Sequence, residues 1–326
     1  MKANVFPRRR AGLLFILLLC NVVFKSCNDA PLEKMEAKGE PYFVNNRLQA
    51  TGGKLKILAI GNSYTDDGTA YIAEIARGLS IPDSCYCVYS LTEGSSSLDF
   101  WYEELISNNT VNIKHQAGSN TLTASKGTVA DVLEQEWDVI VLQQFSNLAI
   151  DYTSYNPSLR CLIDNIRSKC KNPGVAIAWQ LVPAYGKDSP NNKKLYGDER
   201  WRRIATATQT MVALDGIDII IPTGTAIQIA RHGTLENEMD LTRDNTHLCY
   251  GVGRYIAACT WTKTLLCPVF NYNIRDCKAT HEITRQESEN QDEEFVHASS
   301  VPVTDDNRDD CIKCVVEASQ HPFSLE

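Results

Sequence analysis

Leu55-Lys56-Ile57-Leu58-Ala59-Ile60-Gly61-Asn62-Ser63-Tyr64-Thr65 is the stretch from which the fold is read. Leu55 to Ile60 is a short, nearly continuous apolar run, as expected of a strand covered on both faces. Gly61-Asn62-Ser63 breaks the run with turn-forming residues, Gly61 allowing a sharp turn. A helical stretch from about Thr69 to Leu79 follows. The same alternation continues downstream. Strands are predicted at Cys85 to Leu91, Val111 to His115, Asp138 to Leu142, Val175 to Leu181 and Ile217 to Ile221. Helices are predicted at Leu98 to Ser107, Ser125 to Gln135, Pro157 to Cys170, Gly197 to Leu214 and Tyr250 to Leu266. Alternating strands and helices with short connections give an α/β domain, a doubly wound central parallel sheet with helices on both faces. The strands are too few and too unevenly spaced for an eightfold barrel.

Upstream, the composition changes. Arg8-Arg9-Arg10 precedes an apolar run from Ala11 to Phe24, and then comes Ser26-Cys27. A basic segment, a short apolar run and a small residue before cysteine have the form of a lipoprotein signal, which makes residues 1–27 the signal and Cys27 the lipidated residue. Cys20 competes, but the bulky Leu19 precedes it, and a plain secretory signal or an uncleaved anchor has the same outline. The implied localisation is export, with the protein anchored through lipid at a periplasmic or cell-surface membrane face. Residues 28–53 are polar with Pro and Gly and read as a tether, which leaves 54–326 as the domain. Residues 304–319 are predicted to add a C-terminal helix. Removing the first 26 residues, which hold five basic and no acidic side chains, takes the net charge from -8 to about -13. So acidic a chain repels phosphate backbones, and nucleic acid is excluded as a partner.

Two short segments carry chemistry. Ser63 sits on a strand-to-helix turn, where the carboxyl edge of the sheet exposes it and backbone N–H groups can face a developing oxyanion. Taken alone, the residue also fits an ordinary helix N-cap. Arg243-Asp244-Asn245-Thr246-His247-Leu248 puts a carboxylate and an imidazole three residues apart on one turn, so that Asp244 can fix the His247 tautomer. Asp66 and Asp67 read as a solvated helix start rather than a metal site. Trp101, Trp179, Tyr185 and Trp201 read mainly as packing, with sugar stacking the lesser alternative. The twelve cysteines show no zinc-finger spacing, and Cys311-x-x-Cys314 reads as buried thiols in a helix.

A serine block after the first strand and a late Asp-x-x-His block together resemble the SGNH (GDSL-like) hydrolase superfamily. Gly61-Asn62-Ser63 departs from its Gly-Asp-Ser at the middle residue. Strand followed by Gly-Asn-Ser is similar to the DUF4886-type branch of Bacteroides-like bacteria. The α/β-hydrolase elbow G-x-S-x-G is absent. The resemblance implies a flavodoxin-like, three-layer α/β/α sandwich and a serine esterase with Ser63 as nucleophile, His247 as base and Asp244 as orienting acid. It implies an oxyanion hole from the Ser63 and Gly94 amides, Gly94 being assigned from Glu93-Gly94-Ser95-Ser96. The third donor is a side-chain amide. The expected Gly-x-Asn-Asp is replaced by Gln143-Gln144-Phe145-Ser146-Asn147, so Gln144 and Asn147 compete, and the rigid strand end favours Gln144. No metal or organic cofactor is required. By analogy the substrate is an acylated carbohydrate or another small ester. A lipase or thioesterase on lipid acyl chains, or an inactive glycan-binding lipoprotein, are the alternatives.

Overall fold

The computed structural model describes residues 48–116, 123–235, 240–289 and 300–325. The predicted signal with Cys27 and most of the tether lie outside the described residues. One seven-stranded sheet organises the chain, in the order β4-β3-β2-β1-β5-β6-β7. Its strands are β1 Leu55–Gly61, β2 Tyr86–Thr92, β3 Thr110–Gln116, β4 Thr123–Thr128, β5 Val139–Leu142, β6 Ala176–Gln180 and β7 Ile219–Ile221. The pairs β1–β2, β1–β5, β5–β6 and β6–β7 are parallel. The helices are α1 Ser63–Thr69, α2 Ile72–Gly78, α3 Leu98–Ser107, α4 Val129–Leu133, α5 Ser158–Lys169, α6 Gly197–Asp215, α7 Thr223–Arg231, α8 Val252–Trp261 and α9 Arg308–Gln320, with shorter turns between them.

Side chains of the central strands alternate between two cores, as a period of two requires. Ile57, Ala59, Val139, Val141, Ala176 and Ala178 pack on one face. Leu58, Ile60, Ile140, Leu142, Ile177 and Trp179 pack on the other. Helices α2, α7, α8 and α9 cover the first face, and α3, α4 and α5 the second. Both faces are therefore dry, which is why the strands read as apolar runs rather than as alternating patterns. The result is a three-layer α/β/α sandwich. The chain leaves β1 for β2 on one side and returns to β5 on the other, so the crevice where strand order reverses lies at the carboxyl end of β1.

Several elements differ from the sequence reading. The sheet is mostly rather than wholly parallel, because β3 pairs antiparallel with both β2 and β4. The predicted helix 125–135 is strand β4 followed by the single turn α4. Pairing along Thr110–Thr128 to His115–Thr123 satisfies the backbone of this segment, and Thr128 accepts from the Asp131 amide to start α4. Helix α7 was hidden by Pro222-Thr223-Gly224-Thr225, poor helix formers. Gly224 is required there because a Cβ would collide with the Val182 carbonyl. The closing helix passes through a π turn at Thr262–Leu266. Pro268 lies just beyond and lacks the amide a regular helix would use. The folded body already includes Leu48, which packs in the core, and Thr51, whose amide donates to buried Asp138 at 3.0 Å. Helix α9 is no appendage: Cys311, Ile312 and Val315 are buried against α7 and α8. Ten cysteines are described and all are free thiols. Burial pushes Cys249 and Cys267 up to about 12 and Cys314 up to about 11, which keeps them protonated and inert.

Candidate active site

Ser63 is the first residue of α1, directly after β1. Asn62 is the N-cap: its side chain accepts from the Tyr64 amide at 3.1 Å and donates to the Ser96 carbonyl at 3.0 Å. The sequence had left open whether the serine was merely the cap; Asn62 takes that role and leaves the Ser63 hydroxyl free for other contacts. At the first position of a helix the Ser63 amide has no intrahelical acceptor, and it sits at the positive end of the helix dipole. Gly61 serves space rather than turn conformation. It is the last residue of β1, and a Cβ there would run into the Thr65 hydroxyl and the Gln143 side chain.

The second segment meets it from 184 positions away: His247 Nε2 lies 2.9 Å from Ser63 Oγ. On the other side of the ring, Nδ1 lies 2.6 Å from Asp244 Oδ2. The remaining Asp244 oxygen accepts from the amides of Thr246 at 2.9 Å and His247 at 2.6 Å, an arrangement made possible by the left-handed Asn245 (φ 60°). The turn thus holds the carboxylate against the imidazole independently of the rest of the site. Burial alone would raise the Asp244 carboxyl, but the hydrogen bonds from the His247 ring and amide overcome that and bring it down to about 2. Asp244 is therefore ionised at any working pH, and its charge fixes the proton on Nδ1 and leaves Nε2 facing the serine. Tyr64, one residue beyond the serine, donates its hydroxyl to the Thr246 carbonyl at 2.5 Å.

Beside this triad is a cavity of about 180 Å³, lined among others by Ser63, Ser95, Phe145, Asn147, Tyr185 and His247. Of the three residues that the sequence reading assigned to the oxyanion hole besides Ser63, Asn147 lines this cavity and Gly94 and Gln144 do not. Gln144 is fully buried and its amide is spent. Its oxygen accepts from the Leu98 and Phe145 amides at 3.1 and 2.8 Å, and its nitrogen donates to the Ser154 carbonyl at 2.8 Å. Rigid placement at the strand end was the right property, but it serves to join α3 to the loop after β5. Gly94 does not line the cavity; its amide points to the Glu93 carboxylate at 3.3 Å. The neighbouring Ser95 does line it, in a left-handed conformation (φ 59°). Asn147 lines the cavity as well. Trp101, Trp179 and Trp201 are at most 3% exposed and are core residues. Tyr185, also buried, forms a cavity wall and bonds to Ser146 at 2.6 Å between hydroxyls.

Asp66 and Asp67 part company. Asp66 is half-buried and pairs with Lys114 at 2.7 Å, close to the expected solvated helix start. Asp67 has no exposed surface and accepts from Arg243, Arg254 and the Leu248 amide at 2.9–3.0 Å. Sequence reasoning missed it because a lone carboxylate is expected outside. The one visible signal was Arg243, placed directly before the Asp244–His247 block.

The DUF4886 family model, a domain of unknown function, matches residues 56–289. No curated protein matches the chain. Among solved structures, a DUF4886 family protein from Bacteroides uniformis is similar at TM-score 0.68 and 25% identity, over 84% of this chain and 97% of that one. A candidate SGNH hydrolase from Slackia heliotrinireducens is similar at TM-score 0.46 and 20% identity, over 65% and 98%. An acetyl-xylooligosaccharide esterase from Geobacillus Stearmophilus is similar at TM-score 0.45 and 14% identity, over 67% and 96%. The last two likenesses are too distant to bear on activity.

Proposed function

This chain belongs to the DUF4886 family, a domain of unknown function, and from its site we propose that it is a serine ester hydrolase acting on small acyl groups. The observation that carries the reading is the continuous relay Asp244–His247–Ser63, with contacts of 2.6 and 2.9 Å, at the mouth of the small cavity. Ser63 Oγ attacks the acyl carbon while His247 Nε2 takes its proton. The imidazolium is stabilised by Asp244 and returns the proton to the departing alcohol. Water then repeats the sequence on the acyl-enzyme. The oxyanion is held by the Ser63 amide, the backbone amide at Ser95 and the Asn147 side chain, in place of Gly94 and Gln144. Such donors act most strongly when fixed in advance, and the Asn62 cap fixes the first of them.

A cavity of about 180 Å³ is below the roughly 300–1,000 Å³ usual for drug-sized ligands. It suits an acetyl-sized acyl group better than a lipid chain and so weighs against a lipase. Its polar wall of Ser95, Ser146, Asn147 and Asn191 suits a hydroxyl-rich alcohol, which supports an O-acylated carbohydrate as substrate. We further propose that the mature protein is exported and held at a membrane through lipid on Cys27. The decisive assay compares 4-nitrophenyl acetate, butyrate and octanoate with wild type and Ser63→Ala. Turnover should be highest on acetate and vanish with the serine. Equal activity of Ser63→Ala would overturn the reading.

A further inference from the structure

We propose that Asp67 is a positioning residue that locks the loop carrying His247 and Asp244 onto the helix carrying Ser63. The inference rests on the esterase reading for its kinetic consequence, but its geometry stands alone. Ser63 and Asp67 are four residues apart on α1, one above the other on the same face. Asp67 Oδ2 accepts from the Leu248 amide at 2.9 Å, and Oδ1 accepts from Arg243 at 3.0 Å. Leu248 and Arg243 are the residues immediately outside the Asp244–His247 segment, so one carboxylate holds both ends of the catalytic turn. Arg243 also donates to the Leu248 carbonyl, which closes the base of the turn, and the Arg243 amide donates to the His247 carbonyl at 2.9 Å. Arg254 on α8 supplies a third donor at 2.9 Å to Oδ1 and ties the closing helix into the same point.

The charge balance explains why a carboxylate stands there. Two guanidiniums would be uncompensated in a buried site without it, and both lie over the Tyr250 ring, 5.0 and 4.5 Å from its centre. Burial works against the Asp67 charge, but Arg243 and Arg254 more than offset it and hold the carboxyl below its ordinary range. Asp67 is thus a fixed anion, whose two oxygens take three donors. An amide in its place presents an N–H to groups that are themselves donors. The Tyr64 hydroxyl on the Thr246 carbonyl is a second tie from α1, to the middle of the turn. The turn itself has its Asp244 bonds to hold its shape. What Asp67 decides is where that shape sits relative to Ser63.

The test is Asp67→Asn, with wild type and Ser63→Ala alongside, using 4-nitrophenyl acetate and counting competent sites with a phosphonate. Misplacement of a reacting group by an ångström costs about 100-fold, so kcat per competent site should fall on that order while KM stays within about twofold. A crystal structure of the variant should show His247 Nε2 withdrawn from Ser63 Oγ. Unchanged kcat per competent site, with the loss confined to fewer folded molecules, would make Asp67 a mere stabilising residue and overturn the proposal. So would a variant structure with the His247–Ser63 contact intact. If Asp67→Asn does not fold, Arg243→Met removes one of the two ties and should show the same split, more weakly; normal kcat there refutes the idea. Wild-type protein inactive on every ester would defeat the esterase reading, whereas the crystallographic arm would still decide the positioning role.

Discussion

Substituting Gln144 and Asn147 separately to alanine distinguishes a residue that builds the site from one that acts in it. Gln144→Ala removes the acceptor of the Leu98 and Phe145 amides and the donor to the Ser154 carbonyl. Each buried group left unsatisfied costs about 1–3 kcal/mol. The two amides and one carbonyl give a loss on the order of 3–6 kcal/mol, allowing for water reaching the half-exposed Ser154. In a domain of this size 1 kcal/mol moves the melting temperature by about 2–4 °C, so Gln144→Ala should melt roughly 6–24 °C lower. Its turnover per folded molecule should stay within severalfold of wild type, because the spent amide never faced the oxyanion. Asn147→Ala should do the reverse. The residue is at the cavity edge, so its loss should cost little stability, while removal of an oxyanion donor lowers kcat by about 100-fold with little change in KM. Differential scanning fluorimetry and steady-state kinetics on both purified variants read all four quantities. A stable Gln144→Ala with collapsed kcat, beside a fully active Asn147→Ala, would refute the assignment.

The triad should behave as one unit: His247→Ala should lose roughly three orders of magnitude in turnover on 4-nitrophenyl acetate, Asp244→Ala somewhat less, and the Ser63→Ala/His247→Ala pair little more than Ser63→Ala. Additive losses would mean that the 2.9 Å Ser63–His247 contact does not operate. A second prediction concerns pH and the buried His281, which bonds Glu74 at 2.9 Å and Glu287 at 3.2 Å. Burial disfavours its charge, but the hydrogen bonds to Glu287 and Glu74 prevail and raise it to about 9; burial likewise opposes the Glu287 charge, yet bonds from His281 and Tyr71 bring that carboxyl down to about 2. The histidine contribution to stability is complete below its ordinary value of 6.5 and is lost as pH rises through about 9. The Glu287 contribution is complete above 4.5 and is lost as pH falls through about 2. Melting temperature should therefore drop between pH 6.5 and 9, and His281→Asn should flatten that drop; an equal slope in the variant would remove His281 as the cause. Finally, Cys27→Ala should move the protein out of the membrane fraction or leave the signal uncleaved. Mass spectrometry of the mature N-terminus checks it, and an unmodified terminus elsewhere would reduce the anchor to a secretory signal.

Much of the molecule was legible before folding. The apolar run ending in Gly61-Asn62-Ser63 identified β1 and its turn, because strands buried on both faces have a local signature in their own residues. Asp244 and His247 were legible for the same reason: three residues of spacing on a turn bring carboxylate and imidazole together without help from elsewhere. Where the reading failed, the deciding partner was distant. Residues 123–128 became a strand because β3 offered them a ladder. Gln144 and Asn147 have amides of identical chemistry, and only the packing of α3 and Ser154 around Gln144 determined that Gln144 was spent. Asp67 is a helix-start carboxylate in sequence and a buried anion in the structure, because arginines 176 and 187 positions away neutralise it. Sequence by itself determined the layers of the sandwich and the meeting of Asp244 and His247 on one turn, since period and turn chemistry are local. Tertiary structure alone decided that the Gln144 amide is spent on its neighbours and that Asp67 ties the Asp244–His247 turn to the helix beginning at Ser63. A side chain's hydrogen-bond partners and its dryness are properties of the residues that close around it.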